Sequence, residues 1–194
     1  LNADIALANG TAGAASLDVN AATALGGNVI TSGFQAYRNT MTLDSGGSFT
    51  LDTTGNDNTD DISTQTIAGV SGGDAENLTF DAGPSGDIVI SGTVTNITNL
   101  TITDSNGIDL NAAVTLLGDL TITDSSNGAD ININANLEAN DLVTTANAYD
   151  VFILEDADIT EQTTFLNTGT LQIGNNGVGV GGDEATFIGG LVAT

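Results

Sequence analysis

The sequence predicts an all-β fold, a right-handed parallel β-helix (β-solenoid) of about nine coils of 20–22 residues. Three observations predict it. A unit of about twenty residues repeats along the chain. The strands inside each unit alternate apolar and polar with period two. No apolar stripe with helical spacing i, i+3, i+4, i+7 runs for a useful length anywhere.

Taken in order, the first third reads as strands at Asp4-Ile5-Ala6-Leu7, Ser16-Leu17-Asp18-Val19 and Asn28-Val29-Ile30. The wholly polar stretch 54–61 reads as a loop leaving a coil, and Gly83-Pro84-Ser85-Gly86 as a turn. Pro84 is the only proline and falls where no ladder hydrogen bond is needed. The repeat is plainest from Asn77 on. Asn77-Leu78-Thr79-Phe80, Asn99-Leu100-Thr101-Ile102, Asp119-Leu120-Thr121-Ile122 and Asp141-Leu142-Val143 open successive units, 22, 20 and 22 residues apart. Each is followed by a second strand: Asp87-Ile88-Val89-Ile90, Gly107-Ile108-Asp109-Leu110, Asp130-Ile131-Asn132-Ile133 and Val151-Phe152-Ile153-Leu154. A third apolar mark closes each unit, at Val94, Val114, Leu137 and Ile159.

Within a strand, Leu100 and Ile102 should point inward and Thr101 and Thr103 outward. One unit cannot bury its apolar face alone, whereas stacked units bury a continuous column. A β-sandwich also has short strands at regular spacing. The solenoid is favoured because the units resemble one another and place turn residues alike: Asp104, Asn106 and Gly107 against Asp124, Asn127 and Gly128. Nine coils about 4.8 Å apart would make a rod of about 45 Å.

Composition narrows the function classes. Twenty-five acidic residues face one base, Arg38, for a formal net charge of −24. Such a surface repels nucleic acid and anionic membranes. No apolar run approaches the ~20 residues of a membrane-spanning helix. Acidic chains are often disordered, but 40% of these residues are hydrophobic and regularly spaced, which argues for folding. With no Cys and no His, disulfides and ordinary zinc or iron–sulfur ligation are excluded. No cofactor is expected; the one class of metal left open is a hard cation such as Ca2+, held by carboxylate, amide and carbonyl oxygen. Lysine-free, Asn/Thr/Gly/Asp-rich composition suggests a bacterial exterior or a saline habitat.

One segment carries a resemblance. Thr31-Ser32-Gly33-Phe34-Gln35-Ala36-Tyr37-Arg38-Asn39-Thr40-Met41-Thr42-Leu43 resembles the T-x-G-x-Q-x-Y-…-V-x-L segment of giant bacterial surface adhesins of the filamentous-haemagglutinin type. Gly47-Ser48-Phe49-Thr50-Leu51, then Asn77-Leu78-Thr79-Phe80-Asp81-Ala82-Gly83 with Gly86-Asp87-Ile88, resemble the segments that follow it there. Thr160-Glu161-Gln162-Thr163-Thr164-Phe165 is a partial second copy, with Phe165 in place of the Tyr. The resemblance covers roughly residues 29–175. It implies a long, secreted, repetitive β-helix protein at the bacterial cell surface, used in adhesion or in building a surface layer. Residues 1–194 would be a single β-solenoid, a segment or processed unit of such a protein. Its expected partners are further copies stacked end to end, or adjacent repeats of the same chain; an adhesin stalk holding a glycan or surface ligand is the alternative.

The acidic turns are the candidate metal ligands: Asp104, Asn106 and Asp109 in one coil, Asp124, Asn127 and Asp130 in the next. Both place oxygen donors around a glycine, and two stacked turns could supply the six to eight oxygens that Ca2+ takes. The competing reading is that Asp, Asn and Gly simply make turns. Gly72-Gly73-Asp74 and Gly181-Gly182-Asp183 hint at a calcium-binding nonapeptide without repeating it. Thr101-x-Thr103 and Thr121-x-Thr123 resemble an ice-binding ladder, but outward threonine of good strand propensity accounts for them. Tyr37 and Arg38 are candidate interface residues, against a local salt bridge beside a solvent-facing tyrosine. Phe187 and Ile188, in the uncharged run ending at Val192, are candidates for docking the next subunit or repeat. Polysaccharide-cleaving β-helices pair carboxylates with Lys or Arg, and one arginine with no histidine argues against an enzyme.

Overall fold

A computed structural model describes residues 5–7, 15–44, 46–54, 60–70, 75–174 and 184–193. Among these residues every regular element is a strand and every strand pair is parallel. The strands fall into three long sheets, which form the faces of a solenoid. The first face carries Ile5–Leu7, Val29–Thr31, Ser48–Asp52, Asn77–Asp81, Asn99–Asp104, Leu120–Ile122 and Leu142–Thr144. The second runs from Leu17–Val19 through Gln35–Tyr37, Ile62–Thr64, Asp87–Ile90, Gly107–Leu110, Asp130–Ile133 and Asp150–Ile153 to Leu171–Ile173. The third runs from Thr23–Leu25 through Met41–Leu43, Ile67–Ala68, Val94–Ile97, Val114–Leu116, Leu137–Ala139 and Ala157–Ile159 to Ala185–Phe187. A separate pair joins Thr163–Phe165 to Leu191–Ala193.

The rod has about seven turns, not nine. Coil length is the reason. In the regular middle, Leu100 faces Leu120, twenty positions on, as the repeat predicts. Elsewhere the coil is longer: Leu51 faces Phe80 and Ile159 faces Phe187, 29 and 28 positions on. Two alignments also shift. The second-face strand expected at Val151–Leu154 starts at Asp150, with Val151 and Ile153 inward, so Val151 is the counterpart of Ile131. Ala157, not Ile159, stands against Leu137.

The apolar columns form as the period-two pattern requires. Leu51, Phe80, Ile102 and Ile122 stack on the first face. Ile62, Ile88, Ile108, Ile131 and Val151 stack on the second. Ile67, Val94, Val114, Leu137 and Ala157 stack on the third, and all of these side chains are buried. Burying each large one contributes about 1.5–3 kcal/mol as an upper estimate. Because like faces like, register is fixed at every level; a one-residue slip would turn a whole column outward.

Polar ladders hold the turns in the same register. Asn99 Nδ2 donates to Asn77 Oδ1 at 2.8 Å, and Asn99 Oδ1 accepts from Asp119 N at 2.9 Å. Asn134 Nδ2 donates to Asn111 Oδ1 at 2.9 Å, and buried Ser105 and Ser125 hydroxyls meet at 3.3 Å. The turn at Gly83 has φ +69°, a conformation that glycine adopts without strain.

The 31–43 segment is a corner clamp. Gln35 is buried, and its Nε2 donates to Val29 O at 3.0 Å, Thr31 Oγ1 at 3.2 Å and Asp52 O at 2.9 Å. Tyr37 OH donates to Gln35 Oε1 at 3.0 Å. One glutamine thus satisfies carbonyls of two first-face strands at the bend into the second face. The partial second copy does not repeat this: Gln162 is exposed, and Phe165 lies in the separate strand pair.

Candidate functional site

The six oxygen-bearing turn residues do not converge on one point. The corner between two faces separates them. Asp104 ends a first-face strand, whereas Asp109 and Asp130 belong to second-face strands. Among the described residues no group of three or more carboxylates is placed to hold a metal.

Asp104 belongs to a column of stacked carboxylates. Asp81 stands in register with Asp52 on one side and, across a local register shift, with Asp104 on the other. Asp124 adds its repulsion to Asp104 from the next coil. Burial raises the Asp104 carboxyl above the ordinary value, Asp124 and then Asp81 raise it further, and the Ser105 amide opposes them. Burial likewise raises Asp81, with Asp52 adding to the shift and the Gly83 N–H opposing it. The sequence reading found Asp104 and Asp124 but missed Asp52 and Asp81. Extending the strand alignment one residue past Leu51 and Phe80 would have shown them.

Asn106, Asp109, Asn127 and Asp130 instead line a shallow groove of about 360 Å³ on the second face, with Asp87, Ser126 and Asn132. Gly107 stands between Asp87 and Asp130 in the stack, and its missing side chain deepens the groove. Amides already engage two of the carboxylates: Asn106 Nδ2 donates to Asp87 Oδ1 at 2.9 Å, and Asn132 Nδ2 to Asp109 Oδ1 at 3.0 Å. The groove is rich in acceptors, so it favours hydroxyl-rich or cationic ligands over anions.

Tyr37 is not an interface anchor. It is 2% exposed, inside the core, and burial pushes its phenol well above the usual tyrosine range. Period two explains the correction: Gln35 and Tyr37 point inward, while Phe34 and Arg38 point outward. Arg38 makes a two-pronged ion pair with Asp18 of the neighbouring second-face strand, Nε–Oδ1 2.7 Å and Nη2–Oδ2 2.9 Å. That is the local salt bridge, formed between exposed partners. Phe187 is half-buried and packs edge-on against Phe165, ring centroids 6.3 Å apart. Ile188 is 71% exposed, beside Glu138, Asp158 and Thr160 of the third face. The Gly72-Gly73-Asp74 and Gly181-Gly182-Asp183 segments lie outside the described residues.

No family model matches the chain, and neither does any curated protein or any solved structure. The parallel solenoid therefore rests on its strand pairing, and the repeats on the sequence itself.

Proposed function

We propose that this is a non-enzymatic structural protein of the bacterial cell surface, which builds a fibre, sheath or filament by stacking of solenoid coils. The observation that carries the reading is the in-register continuation of three apolar columns and their Asn and Ser ladders from coil to coil. Such an arrangement propagates along its own axis, each coil presenting the strand edge on which another can add. At one end of the described rod, Leu171–Ile173, Ala185–Phe187 and Leu191–Ala193 each pair on one side only. There Ile173, Ile188, Leu191 and Val192 are exposed. The added coil is either the next repeat of a longer chain or a second copy. The resemblance of residues 31–43 to filamentous-haemagglutinin-type proteins supports the surface location.

Electron microscopy and sedimentation of the chain at high concentration test the reading. Filaments with a spacing of about 4.8 Å along the axis are the expected result. Monodisperse short rods at every concentration would remove the stacking of separate copies and leave only repeats within one chain.

The second-face groove favours one other reading, an adhesin stalk that also holds a neutral glycan. Binding on a glycan array that is lost in Asp130→Ala would support it. An array without binders would leave the structural reading alone.

A further inference from the structure

The chain has six phenylalanines. Phe49, Phe80 and Phe165 are buried, and Phe187 packs on Phe165. The other two, Phe34 and Phe152, both turn outward on the second face. Phe34 is 41% exposed and Phe152 is half-buried. A ring left in water forgoes the burial that its size offers, so two of them on one otherwise polar face mark a surface built to receive something apolar.

The two rings stand at the ends of one outward row. Strand pairing sets Ala36, Ser63, Val89, Asp109, Asn132 and Phe152 in register on six successive coils, and Phe34 lies beside Ala36 on the first of them. At about 4.8 Å per coil the row is about 24 Å long. Between the rings it is low, because Ala36 and Ser63 are small. A hollow of about 290 Å³ beside Phe34 is lined by Ala36, Ser63 and Val89. Val89 also lines the groove of about 360 Å³, so hollow and groove adjoin. Carboxylates flank the row on one side: Asp61 Oδ1 accepts from Asp87 N at 3.0 Å, and Asp130 continues the line beyond Gly107. On the other side run the amides of Asn111 and Asn134, joined at 2.9 Å.

Resting on the glycan reading of the second-face groove, we infer that the whole row binds a linear neutral polysaccharide lying along the rod axis, with Phe34 and Phe152 stacked on sugar rings at its two ends. The C–H face of a pyranose is apolar and packs on an aromatic ring, while its hydroxyls donate to carboxylates and exchange hydrogen bonds with amides. A hexose in an extended chain is about as long as one coil is high, about 4.8 Å, so successive sugars meet successive coils. Weak contacts repeated along one ligand reinforce one another as linked sites do, which favours a polymer over a single sugar. The net charge of −24 repels an anionic polysaccharide. An extended peptide needs a free strand edge or deep side-chain pockets, and the strands from Gln35–Tyr37 to Asp150–Ile153 are paired on both sides.

The test is isothermal titration of the whole chain with size ladders of β-1,4-linked glucose, mannose and N-acetylglucosamine oligomers, and with polygalacturonate as the anionic control. Affinity for at least one ladder should climb from the disaccharide to the hexamer and then level off, because about six sugars at about 4.8 Å each span the two rings. Phe34→Ala and Phe152→Ala should each weaken hexamer binding about five- to tenfold with little change in Tm. Ser63→Arg, at an exposed position between the rings, should weaken the hexamer as well, which keeps the test decisive if either phenylalanine variant fails to fold. Hexamer binding that is lost in Asp130→Ala but unchanged in these three variants would overturn the row and leave the glycan groove standing. A disaccharide bound as tightly as the hexamer would do the same. No binding to any neutral ladder, or binding to polygalacturonate alone, would overturn both.

Discussion

Replacing Asp81 with Asn should stabilise the rod at neutral pH. Asp81 lies between Asp52 and Asp104 on adjacent strands, and stacked strands are about 4.8 Å apart. Two like charges about 5 Å apart repel by roughly 0.8 kcal/mol in water and by about 3 kcal/mol at an effective dielectric of 20. These carboxylates are only half-buried, so about 0.2–1 kcal/mol for each neighbour is the realistic range. Asn keeps the oxygen that accepts from Gly83 N at 3.2 Å, so the turn is retained while the charge is removed. The net expectation is about +1 kcal/mol, a rise in Tm of about 2–4 °C for a chain of this size. Asp81 has its carboxyl raised in the folded state, so its ionisation opposes folding above the folded pKa. That cost disappears as pH falls through the folded value. Calorimetry at pH 7 should show the gain, at about pH 3 the parent and variant should coincide, and 1 M salt should shrink the difference at pH 7. A variant less stable at pH 7, or equally stabilised at pH 3, would refute the repulsion argument. A loss of stability seen only with Ca2+ present would instead show that the column holds cations.

Other outcomes follow from the same structure. Gln35→Leu should cost about 2–5 kcal/mol, because it strands the Val29 and Asp52 carbonyls and the Tyr37 hydroxyl; urea unfolding measures it. Tyr37→Phe should cost about 1 kcal/mol at neutral pH. Because burial raises the Tyr37 phenol, the parent should lose stability as pH rises above about 10, and the variant should lose less over that window. Phe80→Ala, in the middle of the first-face column, should cost about 3–5 kcal/mol by calorimetry. Gly69→Ala should destabilise strongly, since its Cβ would meet Asn96 O in the strand Val94–Ile97, where the pairing shifts register; a neutral result would show that this backbone relaxes freely.

The sequence by itself determined the fold class, the faces of the strands and most of the register. Period two in Leu100-Thr101-Ile102 assigns inside and outside without any partner, and near-identical units admit one stacking in which Leu meets Leu and Ile meets Ile. It could not determine the number of turns, because the stretches of sequence that lengthen coils beyond twenty residues carry no periodic signal. Nor could it assemble the sites. Asp104 and Asp109 are close in sequence, but the corner between two faces sends them to different surfaces, while Asp52, Asp81 and Asp104 come from three coils to form one column. Tyr37 looks like a surface residue for its rarity and turns out to be a buried clamp, because Gln35 beside it meets the polar needs of the bend. Glu76 gave no sign at all. One carboxylate ahead of a strand is ordinary in an acidic chain, and only the tertiary structure shows that this one is fully buried. Local alternation is written in neighbouring residues; convergence across coils depends on where the turns and bulges put each strand, and that is decided in three dimensions.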